Sequence, residues 1–151
     1  MMKFTARFWK QSLIASLAAI ATPTVLLAAP ANAPLADGIY LFGQSPKPEE
    51  IGKEYLVFRV RQGKMTGAIY APQSEFSCFT GTIDPRQVNL AIVDPYENEV
   101  YRHSIVLTPP APVASGRPVV QRPNLEGYYP IETISDNDRR ILQTCLEQFQ
   151  D

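Results

Sequence analysis

A regular alternation of apolar and polar residues in the segment 54–70 limits the folds open to this chain. Two apolar runs, EYLVFRV and MTGAIY, flank the short polar segment RQGK, which contains Gly63. This pattern predicts a β-hairpin with a loop of three to four residues. Side chains alternate along a strand, so one face of the first arm carries Leu56, Phe58 and Val60. A slip of one residue would move Arg59 and Arg61 into the core, so the register is well specified.

The segments around this hairpin predict further strands of similar length. They are rich in aromatic and β-branched residues and cover residues 39–42, 76–83, 88–93 and 100–107. The turns Asp84-Pro85 and Asp94-Pro95 separate the later ones. We therefore predict a mainly β domain, an antiparallel meander of about six or seven strands that forms a small barrel-like structure, with a sandwich as the alternative packing.

The last third of the chain departs from the strand pattern. Residues 108–126 contain five prolines and Gly116, which predicts a long exposed Pro-rich loop. Residues 136–149 predict a C-terminal α-helix that begins at Ser135 as its N-cap. Its apolar positions recur with helical spacing at Leu142, Cys145, Leu146 and Phe149. A helix this short is marginal alone in water, so we expect it to pack on the sheet and close the domain.

Two cysteines, Cys78 and Cys145, connect the sheet to this helix. Cys78 lies in the middle of a predicted strand, and Cys145 lies within the apolar stripe. If these two faces meet, a disulfide joins the helix to the sheet; two separate buried thiols are the alternative. An even number of cysteines in an exported chain favours the disulfide.

The N-terminal segment has the layout of a secretory signal peptide over residues 1–31. Three basic residues precede an uncharged apolar run, and small residues follow it. Cleavage is predicted after Ala31 or after Ala33, which leaves a single domain from residue 32 to 151. A membrane anchor is the alternative, but Pro23 interrupts the run and the small residues favour removal, so we expect no stable anchor after cleavage. The leader is equally suited to export to the periplasm, the thylakoid lumen or the medium.

Charge and residue types exclude several classes of function. Without the three basic residues of the leader, the rest of the chain has 14 − 3 = 11 Lys and Arg and 15 Asp and Glu, which gives it a formal net charge of −4. This argues against nucleic acid or an anionic membrane as the main partner. One histidine and two paired cysteines cannot build a zinc site. We find no nucleotide or nucleophile motif, and predict no cofactor, metal or catalytic residue.

The tyrosines are the main candidates for ligand contacts. Tyr40, Tyr55, Tyr70 and Tyr101, together with His103, are predicted to line the rim or interior of a barrel cavity. Half-buried structural tyrosines are the alternative. His103 alternates with Tyr101 and Ile105, so a partly buried structural histidine is favoured over a general base. The predicted function is a non-catalytic exported module that binds an unknown protein or small molecule. The alternatives are a carboxylate-dependent hydrolase and an inhibitor of an exported enzyme.

Two segments carry a resemblance to known proteins. DGIYLFGQSPKPEEIGKEYLVF and GAIYAPQSEFSCFTGT resemble a group of small secreted proteins of cyanobacteria. That group has a D-G-x-Y-x-F/Y-G-x-S-P segment and an x-P-x-S-x-F-x-C-F motif, and the match covers about residues 37–82. The resemblance implies an exported single domain of cyanobacterial origin. The group is uncharacterised, so it transfers no catalytic residue.

Overall fold

The computed structural model describes residues 35–109 and 123–150. The predicted signal peptide and residues 110–122 of the predicted loop lie outside the described residues. The described elements, in chain order, are β1 (Gly38–Gly43), β2 (Tyr55–Arg61), β3 (Lys64–Tyr70), β4 (Phe76–Ile83), β5 (Gln87–Val93), β6 (Val100–Thr108), β7 (Asn124–Leu125), β8 (Tyr129–Ile131) and α1 (Asp136–Phe149).

The strands form one antiparallel sheet in the order β7-β6-β5-β4-β3-β2-β1-β8. The first six strands follow one another as a meander, and β7 and β8 come close enough that the sheet nearly closes as a barrel. This confirms the predicted mainly β, barrel-like domain with one C-terminal helix. The predicted loop 108–126 was wrong at its two ends, because Thr108 belongs to β6 and residues 124–125 form β7.

The β2–β3 hairpin occupies the predicted segment but turns more tightly than predicted. Arg61 pairs with Lys64, so only Gln62 and Gly63 form the loop. Both have positive φ, 51° and 76°. Two such residues make a type I′ turn, whose twist matches that of the flanking strands. The predicted loop of three to four residues was therefore wrong.

The interior of the barrel is filled by a core of apolar side chains, here called the inner core. Phe58 lies at its centre, with ring centroids 5.9 Å from Phe42 and 6.3 Å from Phe79. These rings come from β1, β2 and β4, and Gly67 of β3 allows their close approach. A Cβ atom at Gly67 would lie 2.2 Å from the carbonyl oxygen of Val57. Gly67 therefore marks a close backbone contact between β2 and β3, and its pairing with both neighbouring strands is one-to-one, without a bulge.

A second core, the outer core, lies between α1 and the outer face of the sheet. Helix α1 packs across β2, β3 and β4. Its apolar stripe covers Tyr55, Val57 and Ala68, so β2 is buried on both faces at this point. Cys78 and Cys145 form a disulfide with Cα atoms 5.3 Å apart, as predicted. An intramolecular disulfide fits an oxidising compartment.

Candidate functional site

The five side chains predicted to bind a ligand do not converge. Tyr55 and Tyr70 lie in the outer core with ring centroids 5.6 Å apart. The Tyr55 hydroxyl donates to the carbonyl oxygen of Lys47 at 2.6 Å and accepts from the amide of Glu50 at 2.9 Å. Both contacts fix the loop before β2. Tyr55 is therefore a structural residue of that loop.

Tyr70 connects the sheet to the first turn of α1. Its hydroxyl donates to Oδ1 of Asp138, a carboxylate that is 1% exposed. Oδ2 of the same carboxylate accepts from the amide and hydroxyl of Ser135, at 2.8 and 2.7 Å. The side-chain oxygen of Ser135 in turn accepts a hydrogen bond from the backbone amide of Asp138, which completes a capping box. Burial, together with this contact to Asp138, raises the pKa of Tyr70 well above its ordinary value.

The other three candidates lie on the inner-core face, but at different places. Tyr40 packs on Phe58 at 5.5 Å, and its hydroxyl donates to the carbonyl oxygen of Ala36 at 2.8 Å. Tyr101 and His103 lie on the same face of β6 as the buried Ile105, but both are exposed. Their exposure follows from the shortness of β7, which has two residues and pairs only with the end of β6, beyond residues 101–103. The prediction that His103 is partly buried was wrong.

A groove of about 620 Å³ lies on the outer face of β3 to β6; of the five predicted residues only His103 is part of its lining. Its floor consists of two rows of side chains that run across four neighbouring strands. The first row is Lys64, Thr82, Asn89 and Ser104, and the second is Thr66, Thr80, Ala91 and Arg102. Neighbouring strands are about 4.8 Å apart, so each row spans about 14 Å. The floor is therefore a broad surface of hydroxyl and amide groups.

Asn89 is held in one orientation at the centre of this floor. Its Oδ1 accepts from Ser104 Oγ at 2.7 Å and from Gln87 Nε2 at 2.8 Å. Its Nδ2 donates to Asp84 Oδ2 at 2.7 Å. Because three side chains from β5, β6 and the β4–β5 turn hold the amide, little side-chain entropy remains to be lost when a ligand binds.

The C-terminal end of α1 forms one wall of the groove through Phe149 and Gln150. Gln150 adopts a left-handed conformation with φ 53°, and its amide caps the last turn by donating to backbone carbonyls. Cys145 lies one helical turn before Phe149, and Cys78 lies two residues before Thr80 of the floor. The disulfide therefore sets the position of this wall relative to the floor.

The charge of the groove differs from that of the chain. Two cations, Lys64 and Arg102, lie at opposite sides of it; the described lining residues include no carboxylate, and the nearby carboxylate of Asp84 is engaged by Asn89 Nδ2. The chain as a whole has a net charge of −1. α1 packs on β2 to β4, so the partial negative charge at its C-terminal end lies on the Lys64 side. An anionic group is therefore best placed near Arg102, on the β6 side.

The floor was missed by reasoning from the sequence. Its residues are polar side chains at alternate positions of four strands, a pattern typical of a solvated face. Each strand shows the alternation, but the alignment of one strand with the next depends on turn geometry. The sequence signal that identifies the floor is a set of hydroxyl and amide residues on the same face of consecutive strands.

Three of the described carboxylates, Asp37, Asp94 and Asp138, have separate structural roles. Asp37 accepts from the amide of Gln62 at 2.8 Å, and Asp94 accepts from the amides of Tyr96 and Glu97 at 2.8 Å each. Asp138 is engaged in the capping box. Within residues 35–109 and 123–150, no group of three His, Cys, Asp or Glu side chains is placed to hold a metal ion.

A second groove, of about 420 Å³, lies where β7 and β8 approach each other. Tyr128 is half-buried there, and its hydroxyl donates to Oε1 of Glu54. Burial, followed by this hydrogen bond, raises the pKa of Tyr128 well above its ordinary value. The contact joins the segment before β8 to the start of β2, so its role is to hold the closure of the barrel.

Comparison with known proteins adds no assignment: no family model, curated protein or solved structure matches this chain. Among the helices of the described part, none has the length and apolar character needed to cross a membrane.

Proposed function

We propose that this protein is an exported, non-catalytic binding module that holds an anionic, hydroxyl-rich ligand, of the class of acidic oligosaccharides, in the groove on β3 to β6. The observation that carries the proposal is the lining of the groove. Hydroxyl and amide groups cover a rigid floor, two cations flank it, and an aromatic ring stands at one wall. Sugar hydroxyls pair with the floor, and a sugar carboxylate pairs with a guanidinium in a charge-assisted hydrogen bond.

The position of each group suggests how such a ligand lies. The carboxylate of an acidic sugar binds near Arg102, away from the C-terminal end of α1. A neighbouring ring then reaches the side chains of Asn89 and Thr80, and its apolar face packs on Phe149. The width of the floor, about 14 Å across four strands, gives room for more than one sugar ring.

Export is supported by three independent features. The leader pattern over residues 1–31 is typical of secretion, the disulfide fits an oxidising compartment, and the resemblance to secreted cyanobacterial proteins implies the same. The periplasm, the thylakoid lumen and the medium all satisfy these features. The hydrolase and enzyme-inhibitor alternatives stay predictions, since no observation on the described residues favours either.

The proposal is tested by isothermal titration calorimetry with a galacturonate trisaccharide and the neutral galactose trisaccharide. We expect the acidic sugar to bind at least tenfold more tightly, and its affinity to fall as salt rises, because the groove charges are exposed and screened. Arg102→Gln should weaken binding of the acidic sugar about tenfold, which corresponds to about 1.4 kcal/mol. The affinity for the neutral sugar should fall much less.

Arg86→Gln is the matched control, because Arg86 is an exposed arginine at the β4–β5 turn and does not line the groove. It removes the same charge outside the groove, so it should leave the affinity within about twofold. Equal affinities for the acidic and neutral sugars would contradict the proposed ligand class. Equal effects of the two arginine substitutions would contradict the proposed site.

A further inference from the structure

The first half of β6 is an open edge of the sheet. β7 pairs with β6 only at Leu107 and Thr108. One further backbone contact, from the amide of Glu126 to the carbonyl oxygen of Val106, lies at 2.9 Å. Residues 100–105 pair with β5 on one side, and no described strand pairs with them on the other.

The ladder between β5 and β6 identifies the backbone groups that face this edge. Leu107 donates to the carbonyl of Arg86, and Asp94 donates to the carbonyl of Glu99, each at 2.8 Å. In an antiparallel pair, hydrogen-bonded and non-hydrogen-bonded positions alternate. The N–H and C=O groups of residues 101, 103 and 105 therefore point to β5. Those of Val100, Arg102 and Ser104 point away from it.

This stretch has few of the features that protect edge strands. Such edges usually carry a bulge, a proline or lysines, or are covered by another element. Here the register with β5 is one-to-one over the whole strand, and residues 100–105 contain no proline. The apolar side chains of Val100 and Tyr101 are 58% and 50% exposed. The edge is free of bulges, apolar at its start and suited to pairing with another strand.

We propose that this edge binds an extended segment of another protein that carries acidic side chains at alternate positions. Arg102 and Ser104 project on the groove face, and both are exposed, so partner residues on that face lie beside the Arg102 cation. The intervening partner residues lie beside Tyr101 and His103 and are apolar or aromatic. A second copy of β6 is a poorer occupant, because residues 100–105 supply no carboxylate to pair with Arg102.

This surface shares Arg102 with the groove, but the strand pairing itself uses backbone groups of residues 100–104 that the groove ligand does not need. Amide hydrogen exchange measured by NMR on the isolated protein provides the first test. The amides of Arg102 and Ser104 should exchange at least a hundredfold faster than those of Tyr101 and His103, which bond to β5. Slow exchange at all four positions would mean that the chain itself covers the edge, and would overturn the proposal.

The second test adds a blocked hexapeptide of alternating valine and aspartate. We expect exchange at Arg102 and Ser104 to slow at least tenfold, and the matching valine–lysine peptide to have no such effect. Equal protection by both peptides, or none by either at millimolar concentration, would overturn the proposal. The readout concerns two backbone amides, so its failure is separate from a failure of sugar binding.

Two substitutions at Val100 separate backbone pairing from apolar contact. Val100→Pro removes an N–H that faces the edge, at the first residue of the strand, where proline is tolerated. It should weaken peptide binding about tenfold. Val100→Thr keeps both the N–H and the branched shape and should change binding less than threefold. Equal effects of the two substitutions would contradict strand pairing, provided that both variants keep the wild-type pattern of slow exchange in β5.

Discussion

At the scale of single residues, Tyr70 shows how a phenol holds two elements together. Tyr70→Phe keeps the ring but removes the donor to the buried carboxylate of Asp138. We expect the free energy of unfolding to fall by about 1–3 kcal/mol, because a buried acceptor loses a partner. Urea unfolding measures this. The matched control is Tyr101→Phe: the Tyr101 hydroxyl bonds to Glu99 at the surface, so its removal should leave stability nearly unchanged. Similar losses for both variants would contradict the structural role of Tyr70.

Gly67 illustrates a residue whose lack of a side chain is required. Gly67→Ala places a Cβ atom 2.2 Å from the carbonyl oxygen of Val57, so β2 and β3 must shift. We expect a loss of about 1–3 kcal/mol in thermal or urea unfolding. At Gly38 the nearest atom to an added Cβ, on the Tyr40 ring, lies at 3.6 Å, so Gly38→Ala should be neutral or slightly stabilising. The expectation is wrong if the two substitutions have the same effect.

At the scale of elements, the disulfide between β4 and α1 closes a loop of 67 residues. Replacing both cysteines by alanine should lower the free energy of unfolding by about 4 kcal/mol on the chain-entropy estimate. Because the same bond positions Phe149 at the wall of the groove, the variant should also bind the acidic trisaccharide more weakly. Urea unfolding and calorimetry below the unfolding transition measure the two effects. Unchanged stability would mean that the packing of α1 alone holds the helix.

Elements with strong local patterns were predictable from the sequence. The β2–β3 hairpin and the helix from Ser135 each depend on a periodicity visible in neighbouring residues, and the disulfide follows from the position of each cysteine within such a pattern. The two-residue turn was not, because Gln62 adopts a positive φ that the sequence pattern does not require. The short strands β7 and β8 depend on closing the barrel. The groove was missed because its floor depends on the alignment of Lys64, Thr82, Asn89 and Ser104, which is set by three separate turns.

At the scale of the whole molecule, the buried phenol of Tyr70 and the half-buried phenol of Tyr128 link folding to pH. Tyr70 holds α1 to the sheet, and Tyr128 holds the segment before β8 to β2. Burial is the main cause that raises the pKa of each above its ordinary value. Above pH 10, the unfolded chain loses these protons while the folded chain keeps them. The stability they contribute is therefore full below about pH 10 and falls as pH rises further.

Alkaline titration tests this linkage. Absorbance of tyrosinate should show that at least two of the seven tyrosines ionise only as the protein unfolds. The midpoint of thermal unfolding should fall more steeply between pH 10 and 11.5 in the wild type than in Tyr70→Phe, which has one phenol fewer to hold neutral. Tyr129→Phe is the control, because this side chain is 54% exposed and should leave the slope unchanged. If all seven tyrosines titrate while the fold persists, neither phenol links folding to pH, and the helix and the barrel closure are held by apolar packing and the disulfide alone.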